Sequence, residues 1–99
     1  MYFVYILYSF SIHKFYVGQT SDIQSRVQRH NQGGEKYTSK GIPWTLLWST
    51  AKGTRKEAIN LEQKLKNLSQ ERLFGLMMKY NGDLKVDVSV IERIQAKLR

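Results

Sequence analysis

Residues 2–10, YFVYILYSF, run almost unbroken in apolar and aromatic side chains. That is the pattern of a strand covered on both faces, not of one that alternates between core and water. Ser11 to Lys14 is polar enough to turn, and residues 15–20, FYVGQT, predict a second strand returning antiparallel to the first. Gly18 marks a point where a helix or a ligand approaches the backbone closely. Ser21-Asp22-Ile23-Gln24 reads as a capping box with Ser21 as the cap, opening a helix that runs to about Asn31 and stops at Gly33-Gly34. On a helical wheel Ile23, Val27 and His30 share one narrow sector and Arg26 lies on its edge.

Residues 33–43, GGEKYTSKGIP, have the composition of a surface loop or of a segment that tracks a phosphate backbone. Trp44 to Thr50 predicts a third strand, and Thr54-Arg55-Lys56-Glu57 a second capping box. The helix it opens carries Ala58, Leu61, Leu65 and Leu68 on one stripe and ends near Asn67. A further helix from about Ser69 to Tyr80 turns Leu73, Leu76, Met77 and Tyr80 inward and stops at Asn81-Gly82. Ser89-Val90-Ile91-Glu92 caps a short last helix with Ile91, Ile94 and Leu98 on its face. This order argues an α+β domain in which a small sheet, at least partly antiparallel, is covered by helices.

A chain of 99 residues supports one sizeable core, and 41% apolar with 24% charged residues is ordinary globular composition. The absence of cysteine excludes disulfides and cysteine-ligated zinc. With no apolar run of membrane-spanning length and no basic region ahead of an apolar one, the expectation is a soluble, cytoplasmic protein. The net charge of +8 favours a polyanionic partner, nucleic acid first. Most of the excess lies early, with twelve basic against five acidic residues in 1–80 and four against three in 81–99. A basic surface that only maintains solubility is the competing explanation.

The candidate chemistry sits on few residues. Most of the six tyrosines should fill the core, but Tyr5 and Tyr16 lie on neighbouring strands just ahead of the helix carrying Arg26 and His30. A guanidinium beside a phosphate offers bidentate hydrogen bonds and stabilises developing charge, and a histidine one turn later can pass a proton to or from water. Glu57 is occupied as the third residue of its capping box, so Glu62, with only a weak i,i+4 pair to Lys66, is the better carboxylate for a hard cation. No HExxH, phosphate-cradling glycine loop or paired His/Cys spacing is present.

Phe3-Val4-Tyr5, ten residues, then Tyr16-Val17-Gly18 resembles the two half-motifs of the GIY-YIG endonuclease family, with Phe3 in place of the first glycine. Arg26, His30 and Glu62 fall where that family's motifs place them, and KYTSKGIPW, residues 36–44, resembles its small stand-alone bacterial members. The resemblance implies an α+β fold with a three-stranded antiparallel sheet and metal-dependent hydrolysis of DNA phosphodiesters. It implies that Tyr16 or Tyr5 activates or positions the attacking water, Arg26 binds the phosphate, His30 assists proton transfer and Glu62 holds Mg2+ or Mn2+. Arg29, Lys36, Tyr37 and Lys40 surround the site as candidate DNA contacts. Phe3 is tolerated if the space beside it is open. The resulting expectation is a nuclease domain over 1–80 with an extension over 81–99 whose helix packs on it, acting on DNA, branched or damaged DNA among the candidate substrates. The rivals are a DNA-binding module of the same fold with weak or no catalysis, and a protein-interaction domain with a basic face.

Overall fold

The computed structural model describes residues 1–80 and 86–98. Strands β1 (Tyr2–Ser9), β2 (Lys14–Thr20) and β3 (Trp44–Lys52) form one antiparallel sheet in the order β2-β1-β3. Helices α1 (Ile23–Asn31), α2 (Arg55–Lys66), α3 (Gln70–Lys79) and α4 (Val88–Leu98) surround it. The architecture is the expected α+β fold with strand order β-β-α-β-α-α and a C-terminal helix.

The central position of β1 explains its unbroken apolar run. Val4, Ile6 and Tyr8 enter one core cluster with Leu47, Ala58, Leu65, Leu73, Met77, Ile91 and Ile94. Tyr5 and Leu7, on the opposite face, pack with Trp44, Tyr16 and Val27. Side chains alternate across a strand, so both halves of the alternation must be apolar when both faces are covered. Across β1 and β2, Tyr5 stands opposite Gly18. What approaches Gly18 closely is the Tyr5 phenol, into which any Cβ at this position would collide. Phe3 is half-buried and lines an open groove of about 780 Å³ between α1 and β3, consistent with tolerance of a large side chain there.

Several local readings need correction. The cap of α1 is Asp22, whose carboxylate accepts from the Ser25 amide; it displaces Ser21 because it sits one residue nearer the first turn and offers a charged acceptor. The capping side chain of α4 is likewise a carboxylate, Asp87, which accepts from the Val90 amide and the Ser89 hydroxyl. The Thr54–Glu57 box forms as read, with Thr54 accepting from the Glu57 amide and donating to its carboxylate. The glycine-rich segment is not simply loop: Lys36–Gly41 forms a 3-10 helix, and β3 extends to Lys52. Tyr80 does not face inward. It is 57% exposed, while Phe74, absent from the predicted stripe, is buried at 7%. The Asn81-Gly82 stop lies outside the described residues.

These placements separate a buried position inside α4 from an exposed one at the C-cap of α3. Ile94 is fully buried, so Ile94→Ala should cost about 2–5 kcal/mol in urea unfolding. Tyr80→Ala should stay within about 0.5 kcal/mol of wild type, the range of an exposed substitution.

Candidate active site

The site is assembled where β1, β2, α1, the 3-10 segment and α2 meet. The Tyr5 hydroxyl lies 3.0 Å from Nε2 of His30, and Nδ1 of His30 lies 2.8 Å from Oγ1 of Thr38. Thr38 Oγ1 donates to the Glu35 carbonyl at 3.4 Å, so its lone pair accepts the Nδ1 proton and Nε2 is left to accept from Tyr5. The Thr38 carbonyl in turn accepts from the Trp44 indole at 2.8 Å. The Asn31 side chain brackets the Trp44 backbone, accepting from its amide at 2.6 Å and donating to its carbonyl at 3.1 Å. Tyr5, His30 and Thr38 are each at most 2% exposed, and the two tyrosine rings are tilted at 6.4 Å, with Tyr16 meeting His30 edge to face at 5.0 Å.

Tyr16 is the more open of the two motif phenols, being half-buried where Tyr5 is enclosed. Its cationic neighbour is Lys66, whose Nζ lies 5.7 Å from the ring centroid and 3.5 Å from a Glu62 carboxylate oxygen. Arg26 reaches Glu35 at 3.9 Å, and Arg29 binds the same carboxylate oxygen at 3.1 Å. Burial holds the Tyr16 hydroxyl above the usual phenol range; Lys66 and Arg26 pull it down while Glu62 and Glu35 push it up. Burial is also the main cause of the higher position of Tyr5, with Tyr16 adding to it. Burial pushes His30 below its ordinary 6.5, so the imidazole is neutral at neutral pH.

Tyr5, Tyr16 and His30 are thus in direct contact, Glu62 is linked to Tyr16 through Lys66, and the charges of Arg26 and Glu62 act on both phenols. Arg29 is on the rim, tied to Glu35. Lys36, Tyr37 and Lys40 stand exposed on the 3-10 segment, Tyr37 at 93%. The sequence reading passed over Thr38 and Glu35. Glu35 carried a signal, as the single acid of a basic, glycine-rich segment; Thr38 carried none apart from its place in that segment. Among the described residues no three His, Cys, Asp or Glu side chains converge, so a cation here would have Glu62 as its carboxylate ligand and water for most of its shell.

A model of the GIY-YIG catalytic domain matches residues 1–81. The chain belongs to the GIY-YIG family. Membership implies nuclease-type activity, with DNA as the implied substrate. The chain is 40% identical to a UPF0213 protein of Halobacterium salinarum over 57% of this chain and 74% of that one. It is 33% identical to a UPF0213 protein of Staphylococcus aureus over 76% and 92%. Two Bacillus relatives are matched over 59% of their length. A UPF0213 protein of Bacillus halodurans, solved by solution NMR, superposes with a TM-score of 0.54 at 32% identity, covering 83% of this chain and 88% of that one. These GIY-YIG relatives are small proteins whose names specify neither substrate nor metal. No described helix of the chain is long and apolar enough to cross a membrane.

The neutral, buried imidazole has a consequence for stability. As pH falls through 6.5 the unfolded chain protonates His30 before the folded one does, so the unfolded state binds more protons and stability falls, until the lower folded value is passed. The melting temperature of wild type should drop between pH 7 and pH 5, and His30→Gln should flatten that dependence while lowering stability at pH 7 through the lost hydrogen bonds. Thermal unfolding of both proteins across this range checks it.

Proposed function

We propose that the protein is a Mg2+- or Mn2+-dependent endonuclease that hydrolyses DNA phosphodiester bonds in the cytoplasm, with branched or damaged DNA as candidate substrates. The observation that carries this reading is one half-open phenol, Tyr16, with the Lys66–Glu62 pair of α2 against its ring and the Arg26 guanidinium of α1 near enough for its charge to act on the hydroxyl. Residues 1–80 supply the nuclease domain and 81–99 an extension that completes its core.

The donor set fits a hard dication held loosely. Glu62 is an inward carboxylate with its side chain 18% exposed, and phosphate oxygens and water suit the rest of such a shell. When bound, the cation supplies charge to the reacting phosphate and its leaving group. Arg26 binds a non-bridging phosphate oxygen and offsets the charge that builds as phosphorus is attacked. Tyr16 positions the attacking water, and its phenolate takes the water proton as the new P–O bond forms and the bond to the leaving oxygen breaks; solvent returns a proton to that oxygen. Tyr5, His30 and Thr38 are positioning residues, because their burial keeps them from the solvent face while their hydrogen bonds fix the floor under Tyr16. Arg29, Lys36, Tyr37 and Lys40 contact the DNA flanking the cut.

Two outcomes test the mechanism. With burial holding Tyr16 above the usual phenol range, the rate should climb with pH across 7 to 9 without a plateau, and Tyr16→Phe should abolish cleavage while DNA binding persists. Glu62→Gln should collapse cleavage in magnesium or manganese and leave DNA binding intact or tighter, since a negative charge has left the site. Glu57→Gln is the control, because a glutamine oxygen can still accept from Thr54 and both folding and cleavage should hold. Chelator should stop wild-type turnover. Comparable cleavage by Glu62→Gln and wild type would remove Glu62 from the site.

A further inference from the structure

Beside Tyr16, β2 and the α2–α3 corner line a groove of about 640 Å³. Its lining is apolar, with half-buried Phe15 and Leu68 set over buried Val17, Leu65 and Leu73. Its rim is not: Lys66 and Gln70 line it from the helices, and Tyr37 lines it from the 3-10 segment. Tyr37 is 93% exposed, an aromatic ring with almost none of its surface buried against this chain.

We propose that this groove is a binding subsite for an unpaired nucleotide next to the scissile phosphate, so that the substrate is DNA whose strand is single at the cut. The proposal deepens the nuclease reading above and rests on it. An apolar lining matches a nucleobase face, whereas a duplex backbone set against it would strip water from its phosphates without compensation and keeps its base faces stacked inside. A free ring at the rim gives that base something to stack on, and stacking on aromatic side chains tolerates any base. Lys66 meets the adjoining phosphate, its ammonium already placed between Tyr16 and Glu62. Gln70 supplies an amide for a base edge. Groove and site are continuous because Tyr16 belongs to both, so a nucleotide seated here carries its phosphate toward Tyr16.

The test uses the full chain and a 12-nucleotide oligodeoxythymidylate with one central 2-aminopurine, free or annealed to its complement, in the presence of chelator so that nothing is cut. Wild type should quench the single strand on binding and hold it about tenfold more tightly than the duplex at equal salt. Tyr37→Ala should weaken single-strand binding about tenfold, and Tyr37→Phe should restore it, since the ring and not the hydroxyl does the stacking. Equal affinity for duplex and single strand, or a Tyr37→Ala protein that binds the single strand like wild type, overturns the proposal. Cleavage is then measured separately in magnesium and manganese. Cleavage that prefers duplex and ignores Tyr37 overturns the subsite and leaves the nuclease reading standing. Tyr37-dependent, single-strand-selective quenching with no cleavage of any DNA overturns the nuclease reading and leaves the subsite as a binding site.

Discussion

The hydrogen bond from the Tyr5 hydroxyl to Nε2 of His30 joins the central strand to α1 inside the protein, and the rest of the site is arranged around the need to make it. A buried phenol or imidazole left without a partner costs on the order of 1–3 kcal/mol. His30 therefore has to satisfy its other nitrogen as well, and Thr38 does so. Thr38 in turn must be brought inward on a surface segment; the indole of Trp44 holds that segment through the Thr38 carbonyl, and the side chain of Asn31 holds the Trp44 backbone. The chain of partners closes: among the described residues no buried side-chain nitrogen or oxygen lacks one. Gly18 is the steric condition on all of this, since the Tyr5 ring occupies the space a side chain would need.

Outside this neutral network the site is charged, and its charges are paired within the protein. Glu35 accepts from Arg29 and faces Arg26; Glu62 faces Lys66. Each pair is partly exposed, so each contributes little to stability and its partners can be exchanged at small cost. That suits groups that would meet a phosphate or a cation, whereas the Tyr5–His30–Thr38 network is closed to exchange. The neutral interior and the charged rim thus divide two tasks, rigidity and ligand contact, between residues only a helical turn apart on α1.

Much of the fold was legible because its signals are local. The unbroken apolar run of β1, the period of α2 and the Thr54–Glu57 box depend on residues close in sequence, and the structure keeps them. Caps were misplaced where two acceptors competed within two residues, Ser21 against Asp22 and Ser89 against Asp87, and in both cases the charged side chain took the role. Tyr80 follows the helical period inward but sits at the helix C-cap, where the backbone has left helical geometry and the period no longer applies. The 3-10 segment, Thr38 and Glu35 were illegible for a different reason. Their importance comes from contacts with α1 and with Trp44 across the fold, and a threonine in a polar segment looks the same with or without a buried imidazole beside it.

The two motif tyrosines show how far a sequence pattern reaches. Tyr5 and Tyr16 occupy matching places in the two half-motifs and share burial as the main cause of their suppressed ionisation, yet their surroundings differ. Tyr5 lies on the middle strand, is covered from both sides and spends its hydroxyl on His30. Tyr16 lies on an edge strand, half-open, with a lysine over its ring and a groove beside it. Strand position alone produces this difference, because a central strand has neighbours on both edges and an edge strand has one. Under the proposed mechanism it also assigns the work: the enclosed phenol fixes geometry, and the half-open one meets water and phosphate.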